Sequence, residues 1–202
     1  MNKIEFFFDC SSPWTYLAFH GFQEIIKNND NIEIEWKPIL VGGVFNSVNQ
    51  DIYETRKNPN PLKFKYSRKD LRDWSNFYNI TINWPDLFPL NAVNVMRGVI
   101  VADKYNKLVS FSYSCFEMYW SKGVDISDLD ILSEIAVTNG IDKDIFINDI
   151  QTKFIKDQLR KNTDNLMDRG GFGSPTIFIN DNDMYFGNDR LQLVKEKISG
   201  NF

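Results

Sequence analysis

The chain has 202 residues, a formal net charge of -4 and a hydrophobic share of 43%. That is enough apolar material for one large domain, or a domain with a sizeable insertion, and it excludes a disordered or fibrous chain. The acidic balance leaves no dense excess of Lys and Arg, so nucleic acid is not an expected partner.

The first residues, MNKIEFFFD, carry Glu5 and Asp9 within the apolar run, which is not the pattern of a signal peptide. No stretch approaches the roughly 20 apolar residues that span a bilayer. A soluble, cytoplasmic protein with no membrane partner is expected. Residues 3–8 read as a strand. From Pro13 onward Trp14, Leu17, Ala18, Phe22, Ile25 and Ile26 recur at helical spacing. Ser12 takes the N-cap slot and Pro13 the first helical position. After a polar turn, residues 32–37 (IEIEWK) alternate apolar and charged side chains and read as a second strand. Strand, helix and strand with a short return make a right-handed parallel βαβ unit.

The middle of the chain is charged and mostly helical in period, with helices expected over 62–78, 91–105, 108–121, 127–138, 143–149 and 151–168. The aromatic group Trp74, Phe77, Tyr78, Trp84 and Phe88 reads as mostly core, with one or two of its rings available to wall an aromatic substrate pocket. The basic run RKDLR at 68–72 reads as a solvated helix face. A Gly-rich turn at 170–175 then leads into a strand at 176–179, a polar turn and a strand at 184–186, which is a hairpin pattern. Asn188 is the N-cap candidate of a last short helix bearing Leu191, Val194 and Ile198. The order βαβ, insertion, ββα predicts an α/β fold: a thioredoxin-like domain interrupted by an all-helical insertion. The expected units are 1–50 with 168–202, and 51–167.

Cys10 and Cys115 lack Cys-x-x-Cys spacing and His20 is the single histidine, so neither a disulfide framework nor a metal site is expected. Cys10 reads as a small buried thiol. Ser12-Pro13 lies where a strand ends and a helix begins, so free N–H groups and the positive helix end converge there. Such a spot either caps the helix or stabilises an anion such as a thiolate. Ser174-Pro175 heads a strand after a Gly-rich turn and reads either as an ordinary trans proline or as a cis-proline. The cis form would leave the backbone of Ser174 free to pair with an extended peptide. Gly187 to Arg190 forms a third helix start, where backbone amides suit a carboxylate and Asp189 suits an ammonium group. An α-amino acid head matches it, as does a plain helix cap.

These three places, in this order, resemble the DsbA-like superfamily of thioredoxin folds, and more closely its branch of 2-hydroxychromene-2-carboxylate isomerases and kappa-class glutathione transferases. The resemblance rests on FFDCSSPWTYLA at 7–18, GFGSPTIF at 171–178 and MYFGNDRL at 184–191, with weaker support from PILVGGVF, YSRKDLRDW and FPLN. Where disulfide oxidoreductases of this superfamily carry Cys-Pro-x-Cys, the aligned residues are Ser12, Pro13, Trp14 and Thr15, so dithiol exchange has no sulfur there. The resemblance implies glutathione as cofactor, a small aromatic or conjugated substrate, and a homodimer. It also implies a catalytic Ser12 that holds the glutathione thiolate, within a cofactor site of Ser12, Pro13, Trp14, Asn49, Gln50, Ser174, Pro175, Asn188 and Asp189. Within that site, Ser174 pairs with the cysteinyl backbone, and Asn188 with Asp189 holds the γ-glutamyl head. In the loop GVFNSVNQ at 43–50, Gln50 with Asn49 beside it stands at the family's glutathione-binding asparagine. Asn46 stands where relatives often have a lysine. A free thiol with a pKa near about 8.5 is only about 3% thiolate at pH 7, and lowering that pKa by about two units takes roughly 2.7 kcal/mol. A hydroxyl donor and a helix N-terminus together supply that order of energy.

Overall fold

The computed structural model describes residues 1–201. A four-stranded sheet runs in the order β2-β1-β3-β4, from β1 (Asn2–Phe8), β2 (Ile32–Pro38), β3 (Thr176–Ile179) and β4 (Asp183–Phe186). β1 pairs with β2 in parallel and with β3 in antiparallel, so it lies inside the sheet. Its period-2 alternation then divides the core. Ile4, Phe6 and Phe8 point into one cluster of buried side chains, while Phe7 joins Ile39, Val44, Leu166 and Phe178 in another. Glu5 shares the Phe7 face and is kept as an ion pair with Arg169, 2.8 Å away. The Arg169 guanidinium in turn stacks 3.8 Å from the centre of the Phe178 ring.

Helix α1 (Pro13–Lys27) crosses the first face, and Phe19 and Phe22 bury themselves against Phe6 and Trp36. On the second face lie α2 (Val41–Val48) and, at the end of the helical stretch, α9 (Lys153–Asp168), whose Asn162 donates to the Pro38 carbonyl at 3.0 Å. Between them run α3 (Asp51–Lys57), α4 (Pro61–Phe77), α5 (Val93–Asp103), α6 (Leu108–Phe116), α7 (Leu129–Thr138) and α8 (Lys143–Asp149). Gly98 lets α5 close on its neighbours, since a Cβ there would stand 2.8 Å from Phe146 and 3.1 Å from Phe111. A π-helical turn, Glu117–Ser121, follows α6, and the chain ends in a 3-10 turn, Asn188–Arg190, and α10 (Leu191–Ile198).

Three expectations need correction. Residues 41–57, outside the expected helices and read as a loop over 43–50, form α2 and α3. Gly42 and Gly43 lower the helical propensity of α2, and burial of Val41 and Val44 overrides it. The aromatic group is not mostly core: only Phe88 packs against the main cluster, Trp74 and Tyr78 are half-buried, Phe77 is 74% exposed and Trp84 46%, and α4 buries only Ser75. Their rings pack on one another, as Trp74 on Tyr78 at 5.8 Å and Trp84 on Phe88 at 4.8 Å. Asn188 is not the cap of the last helix, because a 3-10 turn intervenes and α10 starts at Leu191 without a side-chain cap.

His20, half-buried on α1, shares a hydrogen bond with the Tyr113 hydroxyl at 3.1 Å. Burial holds its pKa below 6.5. A pKa lowered by folding means that the unfolded chain binds the extra proton, so this contribution is full above pH 6.5 and fades as pH falls through the lowered value. The His20→Phe variant should lose less of its urea-unfolding midpoint than the parent between about pH 7.5 and about pH 6. Equal losses would show that the imidazole contributes nothing to the pH dependence.

Candidate active site

β1 ends at Phe8 and the chain turns through Asp9, Cys10 and Ser11 into the cap of α1. Ser12 is extended at φ -109 and ψ 124, and its Oγ accepts from the Thr15 N–H at 3.3 Å. Pro13 follows as a buried first helical residue, and Trp14 is half-buried. The Ser12 hydroxyl also reaches the Ser174 carbonyl, 3.5 Å away. That is the long limit of a hydrogen bond, so the proton remains available to a better acceptor.

The Ser174–Pro175 bond is cis, the form the sequence reading connects with ligand binding. The Ser174 side chain faces inward: its Oγ accepts from the Asp9 N–H at 3.0 Å and shares a hydrogen bond with Thr15 Oγ1 at 2.8 Å. The hydrogen-bonding groups of Ser174 that its side chain leaves over are those of its backbone. Asn49 Nδ2 donates to the Phe172 carbonyl at 3.2 Å, which ties the end of α2 to the turn before Ser174. Ser12, Thr15, Ser174, Pro175 and, through Phe172, Asn49 thus belong to one corner of the molecule.

Of the other expected residues, Gln50 follows Asn49, and Asn188 follows Gly187, whose N–H donates to the Pro175 carbonyl at 3.1 Å. Gln50 Nε2 donates to the Asn46 carbonyl at 2.7 Å, and Asn46 Oδ1 accepts from the Tyr53 hydroxyl at 2.7 Å. Gln50 Nε2 and Asn46 Oδ1 are thus engaged by neighbours along α2 and α3. Asn188 and Asp189 line a cavity of about 230 Å³ with Gly21 and Glu24 of α1 and the rings of Trp74, Phe77 and Tyr78. Asp189 pairs with Arg190 at 2.7 Å, whereas the Nδ2 of the buried Asn188 has no hydrogen-bond partner among the described residues. A buried donor without an acceptor is unsatisfied at a cost in free energy, which an acceptor brought to it would remove.

Cys10 contributes no reactivity to this corner. Its side chain is fully buried and burial pushes its thiol well above the ordinary value, as burial does for Cys115. Its backbone is held instead: the N–H donates to Met96 Sδ at 3.3 Å and the carbonyl accepts from Trp120 Nε1 at 2.9 Å. The π-helical turn gives Trp120 its place, and the neighbouring Tyr119 donates to the Leu87 carbonyl at 2.7 Å.

Sequence reasoning assigned no role to Asp9, Thr15, Met96 or Trp120. Thr15 was legible as the last residue of the Cys-Pro-x-Cys register, and Asp9 as a carboxylate at the end of a buried strand. Met96 and Trp120 stand 86 and 110 positions from Cys10 and carry no local signal.

The corner occurs in a chain with many relatives. The 2-hydroxychromene-2-carboxylate isomerase of Sphingobium xenophagum is 25% identical over 200 residues, covering 96% of both chains. Glutathione S-transferase kappa 1 of Homo sapiens is 25% identical over 213 residues, covering 96% of this chain and 89% of that one. Among solved structures, a 2-hydroxychromene-2-carboxylate isomerase superposes with a TM-score of 0.82 at 20% identity, over 98% of this chain and 95% of the other. A probable DsbA oxidoreductase of Streptomyces coelicolor follows with a TM-score of 0.80 at 12% identity, over 100% and 92%. The family model for the DSBA-like thioredoxin domain matches residues 3–199. With its sheet order, its Ser12 turn and its cis Ser174–Pro175 bond inside that match, the chain belongs to the DSBA-like thioredoxin domain family.

Proposed function

We propose that the protein is a glutathione-dependent isomerase of the 2-hydroxychromene-2-carboxylate isomerase type, with Ser12 as its catalytic residue. The observation that carries this reading is the convergence of the Ser12 hydroxyl, the α1 N-terminus and the Ser174 backbone on one corner. Glutathione, when bound, supplies a thiolate that adds to a conjugated double bond and leaves again after bond rotation. Ser12 donates its hydroxyl proton in a hydrogen bond to the sulfur and so favours the thiolate. The N-terminal amides of α1 add the positive end of the helix dipole. Ser174 offers backbone groups to the cysteinyl part of the tripeptide. Asn188 Nδ2, buried and without a partner among the described residues, suits a carboxylate of the γ-glutamyl head, and Asp189 suits its ammonium group.

A kappa-type transferase is the second reading, and Asn46 favours it. No lysine stands at that position to meet a substrate carboxylate, and the Asn46 side chain is already engaged by Tyr53. The two free, buried cysteines suit a reducing, cytoplasmic setting in which glutathione abounds. The α4 face that carries Leu62, Tyr66 and Phe77, all exposed, supports the homodimer that the family resemblance implies. Among the described residues no helix is long and apolar enough to cross a membrane.

Isothermal calorimetry with reduced glutathione tests the reading: saturable binding is expected at up to about millimolar concentration. Heat no different from buffer dilution would overturn it. Product analysis with a conjugated carbonyl substrate then separates the two readings, since an isomerase returns glutathione unchanged and a transferase consumes it.

A further inference from the structure

Asp9 is 1% exposed and no Lys, Arg or His pairs with it among the described residues. Burial raises its pKa above 3.8, opposed by hydrogen bonds from Ser11 and Val41. Its two carboxylate oxygens are divided between two segments of chain. Oδ1 accepts from the Ser11 N–H at 2.8 Å, and Oδ2 accepts from the Val41 N–H at 2.8 Å. Val41 is the first residue of α2, whose own cap, Leu40, offers no side-chain acceptor. Asp9 therefore caps α2 from outside that helix. Its backbone adds two links, with the carbonyl accepting from the Ser12 N–H at 3.3 Å and the N–H donating to Ser174 Oγ at 3.0 Å.

We propose that Asp9 is a positioning residue of this site: its carboxylate fastens the Ser12 turn to the start of α2, so that the Ser12 hydroxyl and the Asn49 end of α2 meet the same ligand. The inference rests on the glutathione reading for the ligand and on the geometry for the clamp. A buried carboxylate with no cation beside it is costly to desolvate, and here hydrogen-bond donors from two separate segments offset that cost. Two N–H groups, one on each oxygen, also exclude an amide, which has one acceptor and would turn its NH2 against a donor. Asp9 thus joins three segments that the chain separates, 9–12, 41–48 and 174–175. The start of α2 is held from two sides, since Thr163 Oγ1 accepts from the Leu40 N–H at 3.0 Å, but of these two holds only the Asp9 carboxylate links it to the Ser12 turn.

Two variants test this. Asp9→Asn keeps the size and removes one acceptor. Val41→Pro removes the opposite donor without touching Asp9, at a first helical position where proline is tolerated. Each should weaken glutathione binding about tenfold or more by calorimetry, with far-ultraviolet circular dichroism unchanged. In the parent the Ser11 and Val41 amides should resist hydrogen exchange, and in Asp9→Asn at least one should lose that protection. Asn162→Ala, which removes a buried hydrogen bond to Pro38 elsewhere, should lower the thermal midpoint and leave the affinity within about twofold. Folded Asp9→Asn or Val41→Pro protein that binds glutathione as the parent does would overturn the positioning role while the glutathione reading stands. Parent protein that binds no glutathione would sink that reading and the ligand named here, and unprotected Ser11 and Val41 amides in it would sink the clamp separately.

Discussion

Turnover with glutathione is expected to fall about ten- to a hundredfold in Ser12→Ala, because a hydrogen bond to a charged group contributes about 1.5–3 kcal/mol. The bound thiol should titrate about one to two pH units higher, which its ultraviolet thiolate absorbance reads directly. The same substitution also removes the α1 cap, a loss of about 1 kcal/mol, so stability and catalysis must be separated. Two further variants do that. Ser12→Thr keeps a hydroxyl and a capping oxygen and should restore much of the activity. Ser12→Asp keeps the cap while setting a negative charge against the thiolate, so it should fold well and remain inactive. A Ser12→Ala protein with the thiol pKa and turnover of the parent would remove Ser12 from the mechanism.

Phe6→Ala should cost about 3–5 kcal/mol, the largest loss expected from one side chain here. Phe6 is fully buried on the inner strand, with Phe22 at 5.1 Å and Trp36 at 5.2 Å between ring centres, and with Phe8 and Phe19 each at 6.2 Å. Those rings come from β1, β2 and α1 and cannot collapse together, because two of the three elements are fixed by strand pairing. At about 2–4 °C per kcal/mol for a chain of this size, the thermal midpoint should drop by about 6–20 °C. Differential scanning calorimetry reads it, and a drop below about 3 °C would mean that the ring is not packed as described. β1 leads directly into the Asp9 to Ser12 turn, so glutathione affinity should weaken in the same variant.

The apolar run of β1, the alternation in β2, the helical spacing after Pro13 and the Gly-Ser-Pro signal before β3 were all readable one segment at a time, and the structure has each in place. The β3–β4 connection was readable too: Asn180 and Asp181 take positive φ values of 49° and 73°, a conformation those residue types tolerate better than most. α2 was harder, because its cap lies 32 positions upstream in Asp9 and its two glycines argue locally against a helix. The aromatic residues of α4 misled for a related reason. Large rings are usually core, but α4 buries a single residue, and no sequence pattern says which apolar face lacks a partner.

Within the site the division is similar. Ser12, Pro13 and the Ser174–Pro175 pair were legible because strand ends, caps and X-Pro bonds are local events with local signatures. The sequence alone determined the fold class, the order of the strands with α1 and the later helices, and the residue types at the turn, with a hydroxyl at position 12. Only the tertiary structure decided that Ser174 turns its hydroxyl inward to Asp9 and Thr15. It also decided that Trp120 and Met96 hold Cys10 from across the helical stretch, and that one carboxylate joins two segments 32 residues apart. Hydrogen bonds between distant segments depend on where the hydrophobic core brings the backbone together. That placement is a sum over the whole chain, and no single window of sequence contains it.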